Sequence, residues 1–376
     1  MKLLLFCLLL VTPCLADDVA LGREAADQLI RDKWQKKLEQ LRQERAAEME
    51  KKQITLGDKT MRFLQREIGE APVNGRPLVI SMHGGGGAPA AVNDSQWQNQ
   101  IRLYDPEGSL YIAPRAPTDT WNLWHEAHID GLFDRLIENC IAIHGVNPER
   151  VYIMGYSAGG DGVYQIGPRM ADRWAAAAMM AGHPNEAKPE SLRNLPFALQ
   201  VGGQDTAFKR NEICQQWADQ LTALAKAHEG SYVHFFKSYP QYGHWMNRED
   251  SVAVPWMLKF TRQSWPKAVT WYQDDVIGSR FYWLSVDPAF AKKGQLIEAR
   301  CEGQKISIQT NDPLEITLRL SDSLLDLDQA VNVVWNGKKV FSGKVKRSAE
   351  AIDLSLQQRA DPSTIATALL KVKRLP

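Results

Sequence analysis

Residues 151–160 read VYIMGYSAGG, and this stretch decides the fold. A short run rich in β-branched and aromatic residues ends abruptly in G-Y-S-A-G at 155–159, and the segment after it is compatible with a helix. A sharp turn from strand to helix brings two backbones close together, so side chains at 155 and 159 would collide. The pattern predicts a strand, a tight turn that exposes Ser157, and a helix.

Short apolar runs alternate with longer amphipathic stretches over the predicted catalytic domain, residues 61–266. The predicted strands are PLVISM (77–82), LYIAP (110–114), VYIMG (151–155), AAAMMAG (176–182), FALQVGG (197–203) and YVHFF (232–236). Helices are expected at about 130–144, 160–173, 207–228 and 250–263. This repetition indicates an α/β fold with a mostly parallel sheet and helices on both of its faces.

The segments on either side of this domain have other compositions. Residues 17–60 are dense in charged residues, and their sparse apolar positions have helical spacing: Leu29, Trp34, Leu38 and Leu41. This predicts a solvated helix with one narrow docking stripe, and a partner-binding helix is the alternative. Residues 267–376 alternate apolar and polar positions around turn signals such as Asn336-Gly337, which predicts a smaller, sandwich-like antiparallel β domain.

Residues 1–16 have the three regions of a secretory signal peptide: a basic start, a short apolar run and a small residue at the cleavage site. The run is too short to span a bilayer, so we expect an exported protein, periplasmic or secreted. Cleavage leaves three cysteines, Cys140, Cys214 and Cys301. They are expected as buried thiols, although a single bridge between Cys140 and Cys214 stays open.

A serine hydroxyl becomes a useful nucleophile only when a base takes its proton and a carboxylate orients that base. In this architecture the chain order is serine, acid, histidine. His244 lies in a loop after the last strand, whereas His228 ends a helix and His234 lies within a strand. Asp205 directly follows the strand FALQVGG, so we predict a triad of Ser157, Asp205 and His244. Three other acids fall on helical segments and are less favoured: Asp161, Asp172 and Asp219.

The tetrahedral intermediate of such a reaction needs backbone N–H donors that are already in place. One is expected from Ala158, the residue after the nucleophile, and the other from Gly84 or Gly85 in the run HGGGG at 83–87. No Lys-Ser/Thr follows this run as a phosphate-binding loop requires. The mechanism needs no cofactor and no metal.

With these elements the chain resembles the α/β-hydrolase superfamily over about residues 61 to 265, and within it exported esterases of the feruloyl esterase and polyhydroxybutyrate depolymerase type and prolyl oligopeptidase-like hydrolases. The resemblance implies Ser157 as nucleophile, His244 as general base and acid, and Asp205 as the orienting carboxylate. It also implies Ala158 with Gly84 or Gly85 as oxyanion donors. No lipase-type lid insertion is evident, and no propeller-sized N-terminal domain precedes the catalytic part.

Aromatic and histidine residues near these motifs are candidates for contact with substrate. TWNLWHEAHID at 120–130 is expected to form a pocket wall against a sugar or phenolic ring, with packing or a metal site as alternatives. The candidate substrate-binding residues are Trp121, Trp124, His183 and Trp245. In the C-terminal domain, glycan contact is the alternative to core packing for Tyr282, Trp283 and Trp335.

The sequence thus favours an exported serine hydrolase that cleaves a small-molecule or glycan-linked carboxylic ester. A peptidase is the first alternative, because the same machinery cleaves amides. A non-catalytic carbohydrate-binding or scaffold protein is the second. A net charge of +1 gives no polyanion-binding surface, so nucleic acid is not expected as a partner.

Overall fold

An eight-stranded sheet forms the centre of the computed structural model, which describes residues 20–312 and 315–373. Its strands are β1 (Gln53–Leu56), β2 (Lys59–Glu67), β3 (Arg76–Met82), β4 (Leu110–Pro114), β5 (Val146–Tyr156), β6 (Ala176–Met180), β7 (Phe197–Gly202) and β8 (His234–Tyr239). They lie in the order β1-β2-β4-β3-β5-β6-β7-β8. The five pairs from β4 to β8 are parallel, and β1 and β2 join antiparallel. The predicted mostly parallel sheet is confirmed; residues 53–60, which the sequence places in the helical segment, instead begin this sheet.

Helices cover both faces of the sheet, as the sequence predicts. They are α1 (Arg23–Glu50), α2 (Ala90–Gln100), α3 (His128–His144), α4 (Ala158–Arg169), α5 (Arg210–Ala227) and α6 (Ala253–Met257). The alternation along β3 explains the two covered faces, because Leu78 and Ile80 point into one apolar cluster and Val79 into another. The helix expected at about 250–263 is shorter, and its first turn, Glu249–Val252, is a 3-10 helix. No helix in the described part of the chain is long and apolar enough to cross a membrane.

The charged N-terminal helix α1 is docked within the chain by its narrow apolar stripe. Leu41 is fully buried against Ala142 of α3, and Trp34 packs beside it. Charged side chains flank this contact, where Arg45 lies 2.6 Å from Glu138. The stripe is therefore already occupied, which favours the docking interpretation over a helix that waits for a partner.

Two further sheets make up the C-terminal domain. Its elements are β9 (Ala268–Tyr272), β10 (Arg280–Phe281), β11 (Leu284–Ser285), β12 (Leu296–Glu302), β13 (Lys305–Thr310), β14 (Glu315–Leu320), β15 (Val331–Trp335), β16 (Lys338–Gly343), α7 (Ala349–Gln358) and β17 (Ala368–Lys373). The sheets run β10-β11-β14-β17 and β16-β15-β13-β12-β9. Asn336 and Gly337 both have positive φ, so the predicted hairpin turn is confirmed. One pair, β13 with β15, is parallel rather than antiparallel, because the chain visits the other sheet as β14 between these two strands.

A buried network of arginines and aspartates joins the C-terminal domain to the catalytic domain. Asp361 pairs with Arg262 at 2.8 Å and with Arg173 at 3.1 Å, and Arg359 lies 2.6 Å from Asp172. Apolar packing continues across the same boundary, since a single cluster of buried side chains includes residues of both domains. Removing one partner from such a network leaves a buried charge uncompensated.

The aromatic residues considered for glycan contact in the C-terminal domain belong to its core. Trp283 and Trp335 are at most 1% exposed, and Tyr282 donates its hydroxyl to the Ala171 carbonyl across the domain boundary. The packing interpretation is confirmed for all three. The cysteines Cys140, Cys214 and Cys301 are likewise buried, and none forms a disulfide in the structure.

Candidate active site

The turn between β5 and α4 holds Ser157 in a conformation that few non-glycine residues adopt. Its φ is 58° and its ψ is −122°. The backbones on either side approach so closely that a Cβ on Gly155 would lie 3.0 Å from the Gly159 Cα, and a Cβ on Gly159 would lie 2.6 Å from the Met82 carbonyl carbon. Both contacts are with backbone atoms, so only glycine fits at 155 and 159.

The structure brings the three predicted triad residues into one hydrogen-bonded line. Ser157 Oγ lies 2.8 Å from His244 Nε2, and His244 Nδ1 lies 2.8 Å from Asp205 Oδ2. Asp205 is 2% exposed, whereas the His244 side chain is 43% exposed. A buried carboxylate on one ring nitrogen and a hydroxyl on the other is the arrangement in which imidazole can take the serine proton.

Loop contacts at the ends of β7 and β8 hold the acid and the histidine together. A Cβ on Gly202 would lie 2.6 Å from the Tyr242 carbonyl oxygen, so the two loops touch through their backbones. Gln204 donates its backbone N–H to that same carbonyl at 2.9 Å. Arg210 lies 3.9 Å from the second oxygen of Asp205. Backbone contacts thus hold the loop that carries the acid against the loop that carries the histidine.

Three backbone N–H groups near the nucleophile have no hydrogen-bond acceptor in the described part of the chain: those of Ala158, Gly84 and Gly85. His83 fixes the glycine loop: its Nε2 accepts from the Ala116 N–H at 3.1 Å, so its Nδ1 carries the proton donated to the Gly84 carbonyl at 2.6 Å. Burial lowers the pKa of His83 to about 4, which keeps the ring neutral. The Gly84 carbonyl and the Gly85 N–H belong to the same trans peptide and therefore point in opposite directions. Because the carbonyl points toward the His83 ring, the Gly85 N–H points away from it.

Tyr156, inside the G-Y-S-A-G stretch, clamps the histidine loop, a role that sequence reasoning missed. Its hydroxyl donates to the His244 carbonyl at 2.7 Å and accepts the Met246 N–H at 3.0 Å. Its ring also packs 5.4 Å from Trp245. Tyr156, the residue before the nucleophile, thus positions the base. In the sequence, the only sign of this role is that an aromatic residue stands at this position.

A cleft of about 600 Å³ opens beside Ser157 and His244. Its other lining residues include Val92, Gln96, Asn99, Arg102, Leu103 and Trp245. Trp245 is 49% exposed, so the structure places this candidate substrate-binding residue on the cleft wall. The lining combines apolar side chains, Val92, Leu103 and Trp245, with polar ones such as Gln96 and Asn99, as small-molecule sites commonly do.

The structure separates the other candidate substrate-binding residues. Trp121 is 64% exposed beside the glycine loop, where its backbone lies against Gly86. Trp124 is fully buried and donates its indole N–H to the His83 carbonyl at 3.0 Å, so it supports the glycine loop from behind and does not form a pocket wall. His183 lines a different surface depression, and its Nδ1 accepts the Asn185 N–H.

Side chains of the loop at 120–130 pack against one another and form polar contacts. Trp121 packs edge-on against His125, and His128 lies 3.2 Å from Glu126. Within the described ranges no group of three or more histidine, cysteine or acidic side chains is arranged to hold a metal ion.

The less favoured acids have other partners. Asp161 accepts the His183 backbone N–H at 2.6 Å, and burial raises its pKa to about 6. Asp172 belongs to the network between the domains, and Asp219 accepts from Gln215 on α5. Asp205 is thus the acid that the fold brings to His244.

The strand order, the turn at Ser157 and the glycine loop after β3 together define the α/β-hydrolase fold. No protein-family model and no curated protein matches the chain.

Solved structures similar to this chain include a thermostable esterase, with 16% identity over 56% of this chain and a TM-score of 0.41; the match spans 63% of that esterase. A poly(3-hydroxybutyrate) depolymerase from Bordetella parapertussis has 17% identity over 55% of this chain and 86% of its own, with a TM-score of 0.39. A putative dipeptidyl aminopeptidase IV from Bacteroides ovatus has 11% identity over 55% of this chain and 34% of its own, with a TM-score of 0.41. These are similarities of fold alone.

Proposed function

We propose that the protein is an exported serine hydrolase that cleaves carboxylic esters through an acyl-enzyme intermediate. The observation that carries this proposal is the line of two 2.8 Å contacts from Asp205 through His244 to Ser157. The strained backbone of Ser157 supports it, because strain of this kind persists where the surrounding structure enforces it, often at functional sites. The composition of residues 1–16 supports export.

In the acylation step His244 Nε2 takes the Ser157 proton as Oγ attacks the ester carbonyl. The carbonyl oxygen then carries the negative charge, which the N–H groups of Ala158 and Gly85 stabilise; the Gly84 N–H is the alternative second donor. Asp205 stabilises the imidazolium that forms. Collapse of the intermediate passes the proton from His244 to the leaving alcohol, and the acyl group stays on Ser157.

In the deacylation step a water molecule replaces the alcohol. His244 takes a proton from this water, which attacks the acyl carbonyl, and the proton returns to Ser157 Oγ as the acid leaves. The 43% exposure of the His244 side chain gives water direct access to the acyl-enzyme. The chemistry uses only side chains and backbone N–H groups of this chain, with no cofactor.

The test is a panel of p-nitrophenyl esters of short acids, run beside peptide p-nitroanilides. We expect turnover of the esters that Ser157→Ala lowers by up to about 10⁶-fold in kcat. Ser95→Ala is the matched control, because Ser95 is exposed on α2 outside the cleft, and it should retain full activity.

Two outcomes would contradict the proposal. Turnover confined to the anilides would favour the peptidase alternative, because the same triad then acts on amides. No turnover of either class, with a folded protein, would favour the non-catalytic alternative.

A further inference from the structure

The cleft beside Ser157 contains one permanently charged side chain. Arg102 follows the end of α2 and lines the cleft together with Ser157 and His244. Within the described ranges no aspartate or glutamate lines this cleft. An anionic group of a ligand is therefore attracted by Arg102 and meets no carboxylate in the lining itself.

Arg102 has no partner of its own. In the described part of the chain its guanidinium forms no hydrogen bond and no ion pair, although an acidic residue lies three positions further along. That residue, Asp105, lies 2.8 Å from Arg66 and 3.9 Å from Arg248. Asp105 is thus shared by two other guanidinium groups, whereas the guanidinium of Arg102 lies unpaired at the cleft.

We propose that Arg102 binds a carboxylate on the substrate, so that the preferred esters carry an acidic group on the part that occupies this cleft. This inference rests on the proposed ester hydrolysis and specifies its substrate class. The planar guanidinium offers paired N–H donors that match the two oxygens of a carboxylate. Val92 and Leu103 line the same cleft and would contact the apolar stem that links the acidic group to the ester.

A structural explanation for the same residue makes a different prediction. A cation just after a helix interacts favourably with the negative end of the helix dipole, and Arg102 follows α2. A residue with that role affects stability, and its replacement changes the turnover of acidic and neutral esters equally. Binding of a substrate carboxylate changes the ratio of kcat/KM between an acidic ester and its neutral analogue, and this ratio is the readout that separates the two roles.

The experiment compares two pairs of chromogenic esters. The first pair is mono-p-nitrophenyl glutarate and its methyl ester, which places the charge on the acyl side. The second is the butyrate ester of 3-carboxy-4-nitrophenol and its methyl ester, which places the charge on the alcohol side. In at least one pair we expect the wild-type protein to prefer the acid by up to about fivefold in kcat/KM, as for an ion pair with an exposed arginine.

Arg102→Gln should abolish this preference, because kcat/KM for the acids falls relative to kcat/KM for their methyl esters. Arg102→Lys should restore part of it, and added salt should weaken it. Arg248→Gln is the matched control, because it also removes one positive charge but lies outside the cleft lining, and it should keep the preference.

Equal kcat/KM for acid and methyl ester in both pairs, or a preference that survives Arg102→Gln, would overturn the inference. Neutral esters that are hydrolysed without any preference for the acids would leave the proposed ester hydrolysis intact. A protein that hydrolyses none of the four esters would count against both proposals.

Discussion

Replacing Gly159 with alanine should distort the turn that presents Ser157. The added Cβ would lie 2.6 Å from the Met82 carbonyl carbon, while ordinary carbon contacts are about 3.5–4.0 Å. Strand β3 and helix α4 must therefore separate by about 1 Å, which as overpacking costs about 1–3 kcal/mol. Because β3 continues into the glycine loop, the shift also moves the oxyanion donors, and a misplacement of about 1 Å can cost about 10²-fold in rate.

Thermal unfolding and kcat on a neutral p-nitrophenyl ester measure both effects. For Gly159→Ala we expect Tm to fall by about 2–4 °C for each kcal/mol of stability that is lost. We also expect kcat to fall by about 10²-fold. Gly131→Ala is the matched control, because Gly131 is exposed within α3 and its nearest contact would be the Leu56 side chain at 3.6 Å. That change should stabilise the helix by about 0.5–1 kcal/mol. A Gly159→Ala protein with wild-type Tm and wild-type kcat would refute the reasoning.

Three further changes test the triad and two acids outside it, Asp161 and Asp361. Asp205→Asn should lower kcat by about 10⁴-fold with little change in fold, because the amide favours the wrong tautomer of His244; kcat near wild type would contradict this. Burial raises the pKa of Asp161 to about 6, so its stabilising protonated form is lost as the pH rises through 6. Asp161→Asn should therefore raise the free energy of unfolding by about 2–3 kcal/mol at pH 8 and hardly at pH 4, as measured by urea titration, and a gain independent of pH would contradict it. Burial alone would raise the pKa of Asp361, but the positive charges of Arg262 and Arg173 outweigh burial and lower this pKa to about 2. The stability that the ionised carboxylate adds is therefore lost as the pH falls from 4 towards 2. Asp361→Asn should cost about 3–5 kcal/mol at pH 7, and a loss below 1 kcal/mol would contradict the network's role.

Local patterns in the sequence were sufficient for the parallel core of the fold. Strands β3, β4, β6 and β7 and the second half of β5 are short apolar runs buried in the sheet, and such runs are visible without any knowledge of the tertiary structure. The antiparallel edge strands were not predicted. β2 alternates charged and apolar residues within a generally charged region, and its identity as a strand depends on pairing with β4, far along the chain.

The C-terminal domain shows the same limit. Helix α7 is an exception, because its ten residues AEAIDLSLQQ are mostly good helix formers and follow a cap in which the Ser348 side chain accepts the Ala351 N–H at 3.1 Å, so this helix was readable from the sequence and was missed. The β13 and β15 pair is parallel because β14 lies in the other sheet, and no local pattern encodes that choice.

For the candidate site, chain order and strand ends were sufficient to select Ser157, Asp205 and His244 as a group. The contacts that hold them were not readable from sequence. The Tyr156 clamp on the histidine loop and the close approach at Gly202 depend on loops that meet only in the folded chain. Trp124 lies in a loop rich in polar residues, yet the fold buries it completely behind the glycine loop.

Covalent labelling with a fluorophosphonate, followed by peptide mass mapping, tests the central claim most directly. The account predicts a single adduct on Ser157 of the folded protein, absent in Ser157→Ala and slowed by orders of magnitude in His244→Ala. A folded protein that takes up no label, or that carries the label on another residue, would contradict it.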